Sequence, residues 1–288
     1  MEYKTIGTHD GIFHPDELTA ISTLKINNPN IKIVRTRDPE RLARCSARID
    51  VGGKYCLETN DFDHHQGAGR RANGVPYASA GLIWKHFGKE LCSNEEVWNY
   101  VDNRFMQYID AQDNGERADG DVYGLAKIIY RFNPIKDADK TIIEKAFNQA
   151  LEISMAVLRN EIIASEEQVK SNTEIRAILN DFQGLPYVIL KESRGWEEVL
   201  VKETSDKFYV IYQSDHGDYR VRAIPKEIGG FENRKPLPKA WRALTDEKLA
   251  NLTGIKDFVF CHSNGFTGTT KTLYSAVQVA KLASSLKD

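Results

Sequence analysis

Several features that mark membrane proteins and disulfide-stabilised proteins are missing from this sequence. None of its apolar runs approaches the roughly 20 residues needed to span a bilayer. Its N-terminus carries no apolar segment of the kind found in secretory signals, and its four cysteines are scattered without a C-x-x-C pair. We therefore expect reduced thiols, no membrane partner and a cytoplasmic location.

Charge of one sign is also scarce. The 39 Lys and Arg residues nearly balance the 41 Asp and Glu residues, so the net charge is −2 and the protein is not a polycation. This balance permits a polyanionic substrate without predicting one. The sequence also lacks the His-Glu-x-x-His helix of metallopeptidases and shows no activated Ser or Cys, so it gives no support for a peptidase.

The order of predicted elements indicates the α/β class. Apolar runs predict strands, and the first of them are followed by polar loops and helical patterns, as in open sheets that bind ligands beyond the carboxyl ends of their strands. Small residues at Ser79-Ala80-Gly81 begin a predicted helix whose N-terminus is of the kind that faces phosphates. The predicted strands are residues 3–8, 31–35, 47–51, 186–190, 208–212, 219–223 and 258–261.

With 288 residues, of which 41% are hydrophobic, the chain can fill one large domain or two ordinary ones. We predict a first α/β domain with a parallel sheet at residues 1–136 and a smaller α/β domain at residues 181–288. Residues 137–180 contain no Gly or Pro, and they predict a helical connector between the two domains.

Chemistry-bearing side chains concentrate around the segment Asp63-His64-His65. Burying imidazoles and carboxylates without partners is costly, so such a run favours a metal, a charged ligand or open solvent. A mixed set of nitrogen and oxygen ligands suits Mn²⁺, Mg²⁺ or Zn²⁺ and argues against a thiolate-dominated zinc site. Candidate partners follow, or can follow, ordered elements elsewhere in the first part of the chain: His9, His14, Asp16, Asp50 and Asp113.

Each of these partners also has a simpler explanation when it is taken alone. Asp16 is placed to cap a helix, Asp50 to form a turn before Gly52-Gly53, and Asp113 to form an Asx turn. His9 can be a solvated strand end. The metal hypothesis depends on whether all of them converge.

The order and spacing of these residues resemble the motifs of the DHH phosphoesterase superfamily. That superfamily includes the RecJ nucleases, phosphodiesterases that degrade small RNAs, and the family II inorganic pyrophosphatases. Within it the chain is most similar to the MYG family, whose members have been labelled metal-dependent protein hydrolases and 3′–5′ RNA exonucleases. The resemblance runs across nearly the whole chain, in the segments Thr8-His9-Asp10-Gly11-Ile12-Phe13-His14-Pro15-Asp16-Glu17, Asp50-Val51-Gly52-Gly53, Asp63-His64-His65-Gln66, Ser79-Ala80-Gly81-Leu82-Ile83, Asp110-Ala111-Gln112-Asp113-Asn114-Gly115, Leu237-Pro238-x-x-Trp241-Arg242 and Cys261-His262-x-x-Gly265-Phe266.

The resemblance implies a set of metal ligands in the first domain. Asp50 is expected to bridge two divalent ions, either Mn²⁺ or Mg²⁺, with Zn²⁺ as an alternative. The chain has His9-x-x-x-x-His14-x-Asp16 where most of the superfamily has His-x-x-x-Asp-x-Asp, which leaves the metal identity open. Asp110 is the alternative to Asp113 as the last ligand. The implied ligands are His9, His14, Asp16, Asp50, His64 and Asp113.

The remaining residues of the central segment have expected roles in catalysis. His65 is predicted to donate a hydrogen bond to the phosphate or to protonate the leaving oxygen, and the alternative is that it only supports the ligands. Asp63 is predicted to orient the ligands, or else to be a ligand itself. Two ions about 3.5–4 Å apart can hold a hydroxide for in-line attack on phosphorus, with Asp50 between them.

The resemblance also implies that the smaller domain binds substrate across a cleft, through a glycine-rich motif that Cys261–Phe266 resembles. Between residues 226 and 242, Lys and Arg outnumber Glu, with Phe231 and Trp241 interspersed. Cations that pair with phosphates and rings that stack on bases suit single-stranded nucleic acid, and an ordinary solvated loop with core aromatics is the alternative. The predicted substrate-binding residues are Arg234, Lys235, Arg242, His262 and Gly265.

We therefore expect a metal-dependent phosphodiesterase of the DHH type. The resemblance implies a 3′–5′ exonuclease that acts on single-stranded RNA or short oligonucleotides. A pyrophosphatase or cyclic-dinucleotide phosphoesterase with the same metal centre, and a non-catalytic nucleic-acid-binding relative, are the alternatives. The sequence does not decide whether the chain forms a homodimer.

Overall fold

The computed structural model describes residues 3–116, 124–135 and 138–286. Contacts divide the chain into two compact units, residues 1–166 and 167–288, and each is described by itself. The predicted domain boundary at residues 136 and 137 lies outside the described residues. The predicted domain limits stay a prediction.

The first unit contains a mixed sheet with the strand order β2-β1-β3-β5-β4 over the described residues. Strands β2, β1, β3 and β5 pair in parallel, and β4 pairs antiparallel with β5. The α/β class is therefore confirmed, with one antiparallel strand at an edge of the expected parallel sheet. The strands are β1 (Thr5–Thr8), β2 (Lys32–Arg35), β3 (Ala47–Ile49), β4 (Tyr55–Cys56) and β5 (Asp61–Phe62).

Helices pack on this sheet through apolar side chains. Ile6, Ile49 and Phe62 of the strands lie in one buried cluster with Leu18 of α1 and Leu82 of α3. Fully burying one such side chain contributes about 1.5–3 kcal/mol. A π-helical turn, Asp102–Met106, joins α4 to α5. The helices are α1 (Pro15–Asn27), α2 (Pro39–Ala43), α3 (Ser79–Phe87), α4 (Glu95–Val101), α5 (Gln107–Asp113) and α6 (Leu125–Tyr130).

The helix expected between the two parts of the chain is present as α7 (Lys140–Ile178). Its N-terminal part contributes Phe147 and Leu151 to the core of the first unit. Its C-terminal part contributes Ile175 to a core of the second unit. Over the described residues, no helix is long and apolar enough to cross a membrane.

The second unit contains a sheet with the strand order β6-β7-β8-β10-β9 over the described residues. Strands β6 and β7 pair in parallel, and the other neighbours pair antiparallel. One face carries Ile211 and Val221, which pack in a cluster with Val279 of α10. The elements are β6 (Tyr187–Ile189), α8 (Glu197–Glu203), β7 (Tyr209–Gln213), β8 (Tyr219–Ala223), α9 (Asp246–Thr253), β9 (Phe258–Cys261), β10 (Thr267–Thr270) and α10 (Leu273–Ser285).

Candidate metal centre

Three neighbouring parallel strands deliver polar residues to one edge of the first sheet. His9 follows β1, Asp50 follows β3 and Asp63 follows β5. All three are buried. Because the carboxyl ends of parallel strands meet at the same edge, residues far apart in sequence come together there.

Asp50 lies between the histidines of this edge. Its Oδ2 atom is 3.3 Å from Nε2 of His9, and its Oδ1 atom is 3.5 Å from Nε2 of His64. The same Oδ1 atom is 3.5 Å from Nδ1 of His65. The backbone of Asp50 has a φ of 54°, in a left-handed region that non-glycine residues seldom adopt and that costs of order 1–3 kcal/mol. The strained turn thus directs Oδ2 toward His9 and Oδ1 toward His64 and His65.

The predicted ligands fall into overlapping clusters whose candidate ligand atoms lie within 4.8 Å of one another. His64 approaches Asp113 most closely, with 3.0 Å between Nε2 and Oδ2. The structure therefore brings all of the predicted metal ligands together. The clusters are His9, His14, Glu17 and Asp50; Asp16, His64 and Asp113; and Asp50, His64 and His65.

Glu17 was missed by sequence reasoning. Its carboxylate accepts hydrogen bonds from the backbone N–H of His14 at 2.8 and 2.9 Å, and its Oε1 atom lies 3.3 Å from Nε2 of His9. This is a capping box, in which a carboxylate in the first turn of α1 returns to the residue before the helix. The spacing of Glu17 from His14 was the signal that could have drawn attention to it.

The N-terminus of α3 binds a protein carboxylate. Oδ1 of Asp16 accepts a hydrogen bond of 2.6 Å from the N–H of Ala80, and its Oδ2 accepts one of 3.2 Å from the N–H of Ser79. The hydroxyl of Ser79 donates to Oδ1 of Asp50 at 3.3 Å. The expectation that this helix N-terminus faces a phosphate is therefore wrong, because Asp16 occupies its amides.

The two alternative ligands lie differently. Asp110 is fully buried, and it pairs with Arg71 at 2.5 Å and accepts a hydrogen bond of 2.8 Å from the N–H of Gly81. Asp63 accepts hydrogen bonds from the N–H of Gly53 at 2.7 Å and pairs with Nδ1 of His65 at 2.7 Å. Both carboxylates thus hold neighbouring groups of the protein, and neither belongs to the Asp16, His64 and Asp113 cluster.

The electrostatics of the site reflect several acids and imidazoles in one buried space. Burial acts to lower the pKa of His9, yet the carboxylates of Asp50 and Glu17 raise it to about 10. Burial opposes protonation of His64 in the same way, and Asp113 and Asp50 raise its pKa to about 11. Burial raises the pKa of Asp16 well above its usual range, and the nearby Asp50 adds to that shift. The clustered carboxylates are stabilised by positive charge placed between them.

Two buried nitrogen atoms at the centre fit a cation. Nε2 of His9 and Nε2 of His64 make no hydrogen bond to any described residue. Carboxylate oxygens nevertheless lie 3.3 Å from the first and 3.0 Å from the second, which are ion-pair distances without hydrogen-bond geometry. Imidazole nitrogens and carboxylate oxygens that converge in this way are a donor set suited to a divalent metal ion.

Comparison with known proteins identifies the family. The chain matches the family model MYG1_exonuc, described as Uncharacterised protein family (UPF0160), over residues 5–284. The MYG1 exonuclease of Mus musculus is 31% identical, in an alignment that covers 98% of this chain and 85% of the relative. The MYG1 protein of Schizosaccharomyces pombe is 31% identical with 96% of each chain covered, and that of Chlamydia trachomatis is 31% identical with 91% and 90% covered. The chain belongs to the MYG1 exonuclease family. The predicted resemblance to the MYG family is confirmed.

In this member of the MYG1 exonuclease family, the cations predicted to bind substrate hold the backbone of the second unit. Lys235 donates from Nζ to the carbonyl of Ser284 at 2.5 Å, and Arg242 donates from Nε to the carbonyl of Leu237 at 2.9 Å. The guanidinium of Arg234 donates to oxygens of Thr204, Lys207, Leu200 and Val201. Substrate binding by these residues stays a prediction, and each of them already donates at least one hydrogen bond within the protein.

His262 and Gly265 lie in the turn that joins β9 to β10. Gly265 has a φ of 74°, and a Cβ atom there would lie 2.6 Å from Nε of Arg242. The ring of His262 packs edge-on against Phe266, with 4.6 Å between the centroids, and its Nδ1 lies 2.6 Å from Oδ1 of Asn264. The glycine allows the close turn, and the turn places an imidazole beside a phenyl ring.

The aromatic residues of the predicted substrate loop have opposite surroundings. Trp241 is 3% exposed and packs edge-on against Phe258 in the core. Phe231 is 100% exposed. The alternative of a core aromatic residue therefore holds for Trp241, and only Phe231 remains available for stacking on a base.

Proposed function

We propose that this chain is a divalent-metal-dependent phosphodiesterase, acting as a 3′–5′ exonuclease on single-stranded RNA or short oligonucleotides. The convergence of His9 and His64 on the two oxygens of Asp50, without hydrogen bonds to them, supports this proposal most directly. The name of the mouse relative, MYG1 exonuclease, adds support from similarity. A DHH-type architecture for the first unit is part of the same proposal.

The clusters suggest how two ions would be held. His9, His14 and Glu17 would bind one ion, Asp16, His64 and Asp113 would bind the other, and Asp50 would contact both. When bound, Mn²⁺ or Mg²⁺ ions would supply Lewis-acid stabilisation of a phosphoryl oxygen and activation of water, and the histidines make Zn²⁺ an alternative. Ser79 and Ala80 orient Asp50 and Asp16 through their hydrogen bonds.

His65 is the residue that we propose for proton transfer. Its side chain is 63% exposed, while Asp63 is buried and holds its Nδ1 atom at 2.7 Å. That contact fixes Nδ1 as the nitrogen that faces the protein, so Nε2 is the nitrogen available to a phosphate or a leaving oxygen. Asp63 would hold the ring in the orientation that presents Nε2 to the substrate.

The test is hydrolysis of a short single-stranded RNA labelled at its 5′ end, by the full chain with Mn²⁺, Mg²⁺ or Zn²⁺ and with EDTA. We expect stepwise shortening from the 3′ end that requires metal, and at least a hundred-fold loss of rate with Asp50→Asn. Asp10→Asn is the matched control, because Asp10 follows His9 in the sequence while its exposed carboxylate pairs with Arg37. Full activity in EDTA, or in Asp50→Asn, would overturn the metal assignment.

The same preparation separates the alternatives. Hydrolysis of pyrophosphate or cyclic dinucleotides without shortening of RNA would establish a small-molecule phosphoesterase. Binding of RNA with no hydrolysis under any metal would establish a non-catalytic relative. A cytoplasmic location and a homodimer remain predictions.

A further inference from the structure

We propose that the face of the second sheet that carries Arg220 and Arg222 binds consecutive nucleotides of a single strand. The nucleotides would occupy two adjacent subsites divided by Arg222 and Phe266. The inference rests on the proposed function, since it names the surface that would hold the substrate strand. It also moves the expected contacts from Arg234, Lys235 and Arg242 to residues of β8 and the neighbouring turns.

The face of the sheet opposite α10 is only partly covered. At β6 and β7, Val188 and Val210 are buried in a cluster with Trp196 and Leu200, from the start and the middle of α8. At β8 the alternating side chains change character: Val221 and Ala223 enter the other core, while Arg220 and Arg222 remain part-exposed. A strand of an antiparallel sheet commonly buries one face and presents polar side chains on the other, and here the open face of β8 carries Arg220 and Arg222.

The strand register places the polar residues in two rows. Tyr212 pairs with Arg220, which pairs with Thr269. In the next row Arg222 pairs with Thr267. Because directly paired residues of adjacent strands lie on the same face, these side chains share one surface.

Two cavities open on this surface, and Arg222 and Phe266 line both of them. The first has a volume of about 340 Å³. The second has a volume of about 270 Å³. Other residues of the first include Tyr212 and Arg220, and other residues of the second include Phe231 and Asn264.

Arg222 lies between aromatic rings where the two cavities meet. The guanidinium of Arg222 lies 5.4 Å from the ring of Trp196 and 5.9 Å from that of Phe266, and it contacts Glu197 at 3.3 Å. These contacts fix its position, and a guanidinium with five N–H donors can still bind a phosphate. Phe231 lines the second cavity and is 100% exposed, so its ring is accessible to a base.

This combination matches a nucleic-acid strand better than a lone phosphate compound. Bases stack on aromatic rings with little regard to sequence, while arginines pair with the phosphates between them. Two adjoining cavities that share an arginine and a phenyl ring would accept neighbouring nucleotides, with Phe266 between the bases. Phe231 and Tyr212 would provide the outer stacking surfaces.

The experiment measures binding by full-length protein carrying Asp50→Asn, so that the strand is not cut. Fluorescence anisotropy compares a labelled oligouridylate with an abasic strand of equal length. We expect Phe231→Ala and Phe266→Ala to weaken binding of the oligouridylate roughly 5- to 150-fold each, and to leave binding of the abasic strand unchanged. Tyr274→Ala is the matched control, since Tyr274 is a 73% exposed ring on α10.

The arginine is tested through salt dependence. Each phosphate contact on a single strand contributes a slope of about −0.7 to log K against log salt. Arg222→Gln should therefore make the slope shallower by about 0.7, and Lys248→Gln on α9 should leave it unchanged. If Phe266→Ala fails to fold, Phe266→Trp tests the same subsite. Because it keeps a stacking ring, it should retain discrimination between the two strands.

The outcomes separate this inference from the proposed function. Equal binding of both strands by the parent and the phenylalanine variants, or an equal effect of Tyr274→Ala, would overturn the two subsites. Hydrolysis of RNA with unchanged KM by the phenylalanine variants in the chain that retains Asp50 would also overturn the subsites while leaving the exonuclease in place. Base-dependent binding by the Asp50→Asn protein, with no hydrolysis by the chain that retains Asp50, would support the subsites and reject the exonuclease.

Discussion

The candidate centre depends on single residues that serve more than one purpose. Glu17 satisfies the backbone at the start of α1 and also lies 3.3 Å from the Nε2 atom of His9. Asp16 fills the amide positions at the start of α3 while it faces His64. Such residues couple helix geometry to the position of the ligands, since moving either carboxylate moves a helix end.

Glu17→Gln separates these two purposes. The amide oxygen of Gln can still accept from the N–H of His14, but the negative charge beside His9 is lost. We expect Mn²⁺ affinity to fall by more than the roughly 10- to 100-fold typical of groups that only orient ligands, because Glu17 is itself a proposed ligand, while the fold is retained. Calorimetric titration of the full chain with Mn²⁺ measures this change. Glu40→Gln, an exposed acid in the first turn of α2, should bind Mn²⁺ as the parent does.

His86 gives a prediction for stability in acid. Burial, with the nearby Lys85, lowers its pKa below the usual 6.5, and its Nε2 lies 2.5 Å from the hydroxyl of Tyr55. The unfolded chain therefore binds a proton more readily than the folded one, so the contribution of His86 to stability is lost as the pH falls below 6.5. One proton gives a slope of at most roughly 1.4 kcal/mol per pH unit.

The measurement is the free energy of unfolding in urea at pH values from 5 to 8. His86→Phe should reduce the pH slope below 6.5, because phenylalanine does not titrate beside Phe62 and Phe87. His216→Gln, in an exposed turn, should keep the slope of the parent. An unchanged slope in His86→Phe would show that other groups cause the loss.

At the residue scale, the sequence was informative where order and residue type carry the chemistry. His9, His14, Asp50 and His64 could be proposed because imidazoles and carboxylates at successive strand ends are unusual. Arg234 was expected to face substrate because charge alone suggested it. Its acceptors include backbone carbonyls, whose positions cannot be read from residue types. The buried pairing of Asp110 with Arg71 was not predictable either, because the sequence does not show which side chains 39 positions apart come into contact.

At the scale of elements, an apolar run was enough to predict a strand, but the order of the strands in the sheet could not be predicted. Strands β1, β2 and β3 could be predicted as parallel because helical patterns separate them, whereas β4 and β5 were not predicted. The antiparallel pairing of β4 with β5 depends on the turn at residues 57–60, whose geometry the sequence leaves open. The alternation in β8 predicts that Arg220 and Arg222 share one face of the sheet, but it does not predict that this face is part-exposed.

Gly81 is where two elements meet most closely. A Cβ atom there would lie 1.9 Å from Oδ2 of Asp110 and 2.7 Å from a terminal nitrogen of Arg71. Gly81→Ala would gain about 1 kcal/mol of helix propensity in α3, but it would force the buried ion pair apart. Breaking a buried pair costs about 3–5 kcal/mol, so we expect a net loss of roughly 2–4 kcal/mol in the free energy of unfolding.

Urea unfolding at pH 7 measures this loss. Asn99→Ala on α4 is the matched control, because it raises helix propensity at an exposed position without a steric conflict. It should leave stability unchanged or raise it slightly. A Gly81→Ala variant as stable as the parent would show that Arg71 and Asp110 can move apart without cost.

For the whole molecule, the two compact units have separate cores, and every residue of the candidate metal clusters belongs to the first. Metal binding should therefore stabilise the first unit around the ends of β1, β3 and β5. An ion at one hundred times its Kd contributes about 2.7 kcal/mol to the state that binds it. Amide exchange that requires release of the ion should slow roughly a hundred-fold.

Hydrogen exchange of the full chain, with saturating Mn²⁺ and with EDTA, tests this distribution. We expect greater protection at residues 49–53 and 63–67 with metal, and no change at β7 and β8. Asp50→Asn should abolish the difference, because each candidate cluster either contains Asp50 or lies next to it through His64. Equal protection of both units would contradict a centre confined to the first unit. Protection that persists in Asp50→Asn would instead exclude this carboxylate as the group that holds the two clusters together.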